Sequence, residues 1–257
     1  MKQVGILVTV LVGTASCSVV PTASITPRYG PLEVDGDVGV SSLGTVATTD
    51  AESLGMEDDD SVFSPRADMS WLNFDAWASW YDARFAGNGI AEGQLDLGGV
   101  VIGIDDPVVS ELDMFLASGA VTWDLVPSDL IDVGVGLGYG LVDFDAEIRS
   151  LTTGAEIGTQ ESFGLPLLAA RGAVDFGDIE ASLVVAGLAV KADGDEISML
   201  DGDLMVRWYF LNAGPAQGGI ALGWRLTRVE AEYGQLGSRL ESDLAFSGPY
   251  AGLTIQL

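Results

Sequence analysis

Histidine is absent from all 257 residues. Its absence removes the commonest general base and the commonest metal ligand. Neither a Ser-His-Asp triad nor a histidine-based zinc site can be assembled. Cysteine occurs once, at Cys17, so the chain cannot close a disulfide on itself. Cationic side chains are scarce: 11 Lys and Arg stand against 38 Asp and Glu, a formal net charge of −27. This balance excludes nucleic acid as a partner, because phosphate backbones are held by clustered cations. Beyond the first few positions there is no apolar run long enough for a membrane-spanning helix. Even so, 48% of the residues are hydrophobic and the mean hydropathy is +0.33. High hydropathy without long apolar runs is what transmembrane strands produce, since their apolar residues alternate with others.

The stretch Leu130–Phe144, L-I-D-V-G-V-G-L-G-Y-G-L-V-D-F, shows this pattern in its purest form. Ile131, Val133, Val135, Leu137, Tyr139 and Leu141 take every second position, with Asp132 and four glycines between them. Successive strand side chains point to opposite faces, so one face is greasy and the other nearly bare. Alternate glycines rule against a helix. At about 3.3 Å per residue, and tilted by about 45°, such a segment crosses the ~25 Å apolar band of an outer membrane. The greasy face is expected to meet lipid. The glycine face is expected to line a narrow barrel and leave room for long arginines.

The rest of the chain divides around this strand. Residues 1–17 place one positive charge before an apolar core and small residues, the layout of a secretory signal peptide. Residues 18–61 are rich in Ser, Thr, Gly and Asp and show no sustained period, so they read as a flexible acidic linker. Their acid runs read as solvated rather than as Ca²⁺ ligands, because neither has EF-hand spacing. Residues 62–257 read as the barrel. Eight long strands are expected, beginning near Phe74, Val109, Leu130, Ser162, Ile179, Ile197, Gly218 and about residue 239. Short turns at Pro127, Gly177 and Pro215 then share one side. The long segment 87–108, with a possible hairpin of Ile90–Leu97 and Val100–Ile104, takes the other side with the polar loop 150–160. Trp123, Trp208 and Tyr209 fall beside the short turns, where an interfacial girdle belongs.

Two ends of the chain bring a family into view. T-A-S-C at positions 14–17 resembles the lipobox of bacterial lipoproteins, which implies lipidation of Cys17. The last residues, with Tyr250, Gly252, Leu253, Ile255 and Leu257 in alternation, resemble the carboxy-terminal assembly signal of bacterial outer-membrane barrels. With eight meandering strands, the chain resembles a small barrel of the OmpA/OmpX type. The resemblance implies an all-β, eight-stranded antiparallel up-and-down transmembrane barrel, inserted into the outer-membrane lipid by the barrel-assembly machinery and monomeric. Known enzymes on small outer-membrane barrels, including omptin proteases, rely on histidine, so no catalytic residue, cofactor or metal is expected.

By alternation, Asp113, Asp132, Arg207 and Arg225 are expected to point into the barrel. Buried charges must be paired, so an internal acid–arginine network should fill the lumen. Asp143 and Asp145 read as solvated acids near a strand end. Three functions follow: a structural or surface-interaction protein of the envelope, a narrow cation-preferring pore, or a soluble lipocalin-like barrel with its greasy faces turned inward.

Overall fold

The computed structural model describes residues 21–257, with breaks at 43–44, 52, 56–59, 92–94, 98–99, 127, 129, 193–194 and 236–237. The export signal expected over residues 1–17 and the lipidation expected at Cys17 lie outside the described residues. The first strands are β1 (Thr22–Thr26), β2 (Arg28–Ser42), β3 (Thr45–Asp50), β4 (Asp60–Phe63) and β5 (Arg66–Trp71). Next come β6 (Phe74–Ile90), β7 (Leu95–Leu97), β8 (Val100–Ile102) and β9 (Pro107–Asp124). The remainder is β10 (Ile131–Ser150), β11 (Glu156–Asp175), β12 (Ile179–Ala192), β13 (Asp195–Ala213), β14 (Ala216–Gln235) and β15 (Ser238–Gln256). The short β7 and β8 pair with each other as the expected hairpin, and the other 13 strands form one antiparallel sheet.

That sheet closes on itself, because β15 pairs with β14 on one edge and with both β1 and β2 on the other. β1 and β2 lie end to end as one stave. β3 and β4 both pair with the opposite edge of β2, and β5 pairs with β1, so these three form the second stave. Among the described residues the barrel therefore has ten staves. Two expectations are corrected here. The barrel is not eight-stranded, and much of 18–61 is wall rather than linker. The first stave was hard to read because its alternating segment L-E-V-D-G-D-V-G-V carries acids, not apolar residues, on its outward face.

Chain direction sorts the connections as expected. Short turns follow Trp71, Asp124, Asp175 and Ala213 at one end. The longer connections after Ile90 and Ser150, and the tight ones after Ala192 and Gln235, lie at the other.

A line drawn around the wall divides the barrel in two. On the turn side of it, outward positions are apolar: Ile131, Val133, Val135, Leu137, Tyr139 and Leu141 on β10, and Leu200, Leu204, Val206 and Trp208 on β13, are all exposed. This greasy-side-out arrangement is the reverse of a lipocalin-like barrel, so that reading is corrected. Exposed Trp71, Phe74, Trp123, Phe176, Trp208 and Phe210 ring the turn end of the band, and Trp80, Tyr139 and Trp224 ring its far edge. Paired aromatic girdles flank the apolar band of membrane barrels. Tyr209 does not join them. It is buried and faces inward. On the loop side of the line the outward positions turn acidic and basic: Asp82 and Arg84 on β6, Glu111 on β9, Asp143, Asp145 and Glu147 on β10. The interior inverts at the same height, from charged beneath to an apolar core above that includes Phe85, Leu112, Leu116 and Phe246.

The wall is not uniformly stitched. β10 and β11 pair from Ile131↔Val174 to Arg149↔Glu156, along the whole of both strands. β11 and β12 pair only from Asp175↔Glu180 to Leu168↔Gly187. Pro166, which has no N–H to offer a ladder, stands two residues past the last pair. The closing joint is tight in another way. A Cβ on Gly30 would lie 2.1 Å from the Pro249 carbonyl, and one on Gly248 would lie 2.1 Å from that of Pro31.

The line through the wall makes a direct prediction. Leu137→Arg should cost about 2–4 kcal/mol in a urea titration of the barrel refolded into phospholipid vesicles. Asp143→Arg, one step above the line, should leave the midpoint unchanged.

Candidate functional site

Inside its apolar band the barrel holds an ion network. Five arginines reach it from five staves: Arg28, Arg66, Arg171, Arg207 and Arg225. Four are fully or almost fully buried, and Arg28 is 0% exposed. The sequence places them there simply. Each follows or precedes an outward residue by one position, as Arg207 sits between Val206 and Trp208, so strand alternation sends it inward.

Each guanidinium is met by several partners. Arg28 donates from Nε to the Ser64 carbonyl at 2.7 Å and from Nη2 to the Ser64 hydroxyl at 2.9 Å, and pairs with Asp203. Arg66 pairs with Asp68 at 2.7 Å and with Asp203 at 3.3 Å. Asp203 thus sits between two arginines and also accepts the Tyr250 hydroxyl. Arg207 joins Asp68 to Glu180, the latter at 3.0 Å. Arg225 donates to the hydroxyls of Ser64 at 2.8 Å and Ser79 at 3.1 Å, with Asp201 at 3.7 Å. Aromatic faces complete the cradle: Arg225 lies 4.1 Å from the Tyr81 ring centroid and Arg28 lies 4.5 Å from that of Tyr250. Arginine suits such packing because it forms planar, multidentate bonds and stacks on rings.

Nearer the turns, Asp75, Asp124 and Asp132 bring carboxylate oxygens within 4.8 Å of one another. Arg171 reaches Asp75 and Asp132 at 2.5 Å each. Its path explains one glycine. Gly134 stands directly across from Arg171 on β10, so the arginine meets no side chain there on its way to β6. The other glycines of this face serve differently. A Cβ on Gly140 would lie 2.5 Å from Met199 Sδ, and one on Gly136 would strike the Val121 carbonyl. The expectation that the whole glycine face accommodates arginines is corrected to that single position.

Of the expected interior residues, Asp132, Arg207 and Arg225 lie inside and belong to the network. Asp113 is corrected: it faces outward, above the line, in a two-pronged pair with Arg84. That hydrogen bond holds the Asp113 carboxyl below the usual carboxylate range. Leu112, Met114 and Leu116 alternate with Asp113 on the opposite face, and above the line such a greasy face turns inward. Arg28, Arg66, Asp68, Asp201 and Asp203 were missed. Within the second stave the signal was present in Arg66-Ala-Asp68, two opposite charges on one face of a strand. The carboxy-terminal residues split by parity: Leu253, Ile255 and Leu257 are exposed in the apolar band, and Tyr250 is buried beside Asp203.

Chemically the guanidinium groups can hold partners but not exchange protons. Arginine does not give up its proton at ordinary pH. Beside Tyr81, Arg225 and Tyr250 the free volume is about 20 Å³, enough for about one water. Removing one shared acid should be costly. Asp203→Ala leaves Arg28 and Arg66 facing each other without it, and should lose about 3–5 kcal/mol of unfolding free energy in urea. Arg84→Ala, in the exposed pair, should not move the transition.

No family model matches the chain, and no curated protein sequence matches it. Solved structures do. The outer membrane protease OmpT from Escherichia coli aligns over 92% of this chain and 97% of its own, with 13% identity and a TM-score of 0.59. The attachment invasion locus protein Ail of Yersinia pestis covers 90% of this chain and 98% of its own at 10% identity, TM-score 0.27. The transport unit of the autotransporter AIDA-I from Escherichia coli covers 94% and 92% at 9% identity, TM-score 0.34. Closed wall, apolar band, twin aromatic girdles and the OmpT alignment agree: this chain has the fold of an outer-membrane β-barrel.

Proposed function

We propose that the chain is a non-enzymatic protein of the bacterial outer membrane, monomeric, with a structural or surface-interaction role. The turn end faces the periplasm and the charged collar stands outside the cell. The observation that carries this reading is the lumen. Across the apolar band it is crossed by paired arginines and acids packed on aromatic rings, and above the band it is filled by apolar side chains. Such an interior favours a plug over a narrow cation-preferring pore.

OmpT's name as a protease belongs to OmpT. A likeness at 13% identity carries fold alone, and this chain has no histidine with which to build the acid–base site that barrel enzymes rely on. In the same reading, residues 1–17 direct export and Cys17 carries a lipid. The alternating end with Tyr250, Gly252, Leu253, Ile255 and Leu257 is read by the assembly machinery. β1 begins at the turn end, so a lipid on Cys17 would enter the leaflet on the periplasmic side.

Two measurements test this. The protein should fractionate with the outer membrane and shift on a gel between unboiled and boiled samples. Recovery in the soluble fraction without a shift would end the membrane reading. In planar bilayers it should give no discrete conductance steps, whereas steady single-channel openings would establish the pore.

A further inference from the structure

The incomplete joint between β11 and β12 opens a notch in the wall. Below it the two strands are laddered up to Leu168↔Gly187. Above that pair, the β12-facing edge of β11 is laddered to no other strand among the described residues, although β11 stays paired to β10 up to Arg149↔Glu156. A groove of about 560 Å³ lies along the joint, within the ~300–1,000 Å³ of small-molecule sites.

Its lining is apolar and belongs to two surfaces at once. Leu168, Ala170, Val185 and Leu200 are part of the outward apolar band. Met199 and Leu188 face the lumen. Gly187, Ala189 and Ser198 keep the floor low. Val190 marks the gap most clearly. Its position faces the lumen, yet it is 36% exposed, because no stave covers it.

Height decides what fits. The band ends on β10 at Leu141, which pairs with Gly164 of β11. The unpaired edge therefore lies in hydrocarbon only from about 164 to 167, and Pro166 removes one donor there. Bare N–H and C=O groups are costly in hydrocarbon. The rest of the edge lies at the level of lipid headgroups and beyond, and Arg228 and Glu230 supply the charged part of the groove's lining. An apolar floor continuous with the lipid-facing band, topped by unpaired backbone donors and acceptors, matches a molecule with a greasy tail and a hydrogen-bonding head.

We propose that the notch between β11 and β12 binds a membrane amphiphile, its acyl chain passing from the bilayer against Leu188 and Val190 and its polar head bonding to the open edge of β11. This rests on the outer-membrane reading above. A strand from a second copy fits less well, since it would have to wedge between two staves that are each held by their other neighbour.

The test uses the full chain in phosphatidylcholine vesicles containing a phospholipid with a diazirine on one acyl chain. After photolysis, adducts are mapped by mass spectrometry. Belt residues remote from the notch, such as Val135 and Leu253, should be labelled, and so should the lumen-facing Leu188 and Val190. Ala189→Trp should cut labelling of Leu188 and Val190 at least fivefold and leave Leu253 unchanged. Ser198→Trp, set in the same floor, serves if Ala189→Trp lacks the gel shift of a folded barrel. Labelled belt residues with unlabelled Leu188 and Val190 would overturn the notch and leave the membrane reading standing. Absence of labelling at Val135 and Leu253 would overturn both. In the same vesicles, a Ser162→Cys chain that forms a disulfide-linked dimer on oxidation, where the parent chain does not, would assign the edge of β11 to a second copy and overturn the amphiphile.

Discussion

A sheet in hydrocarbon cannot have a free edge, because unpaired backbone groups find no water there. Closure is therefore the constraint on which this molecule depends, and β15 satisfies it by meeting both β1 and β2. The requirement also explains why 18–61 could not be spare linker. Eight staves beginning near Phe74 would have left β6 and β15 with open edges, and the segments β1 to β5 are what joins them. Where closure is incomplete, between β11 and β12, the gap lies mostly above the apolar band, where an open edge is tolerable.

The second organising fact is the inversion at the line through the wall. Below it the barrel is greasy outside and charged inside. Above it the order is that of a water-soluble barrel, with Phe85, Leu112, Leu116 and Phe246 buried inside and acids outside. Each half suits its own solvent. The two interiors are closed by different forces: charge-assisted bonds hold the lower one, where burial alone gains nothing against lipid, and apolar burial holds the upper one, where water surrounds the wall. The lower network is stable only because nearly every cation meets more than one acid or hydroxyl. A buried charge left alone is costly.

Most of the wall was legible from strand period alone. β6, β9 to β14, their turns and the direction of the chain follow from alternation and turn residues. Three things were not. The first stave carries acids outward, so its period does not look like a membrane strand. The face assignment of Asp113 needed the height of the line as well as the alternation, and height is a property of neighbouring staves. The partners of each arginine join residues far apart in sequence, as Arg28 joins Asp203, and no local pattern encodes such a pairing. Arg207 and Arg225 could be placed because their immediate neighbours are large and apolar. Arg28, between Pro27 and Tyr29, offered a weaker version of the same signal.

The joint between first and last strands also sets an order in time. Thr26 and Thr254, whose hydroxyls meet across it, are 228 residues apart in the chain. Every wall contact that does not involve β15 can form while the C-terminal strand is still missing, and this joint cannot. Until the end of the chain arrives, the molecule is a curled open sheet with two bare edges, exposed to pairing with whatever strand is near. Loop-closure entropy makes such a distant contact slow, and glycines set against Pro31 and Pro249 leave little tolerance in how the two edges meet. The first–last joint is thus the contact of longest sequence separation in the wall, and a helper that shelters the two edges until they meet would act at that step.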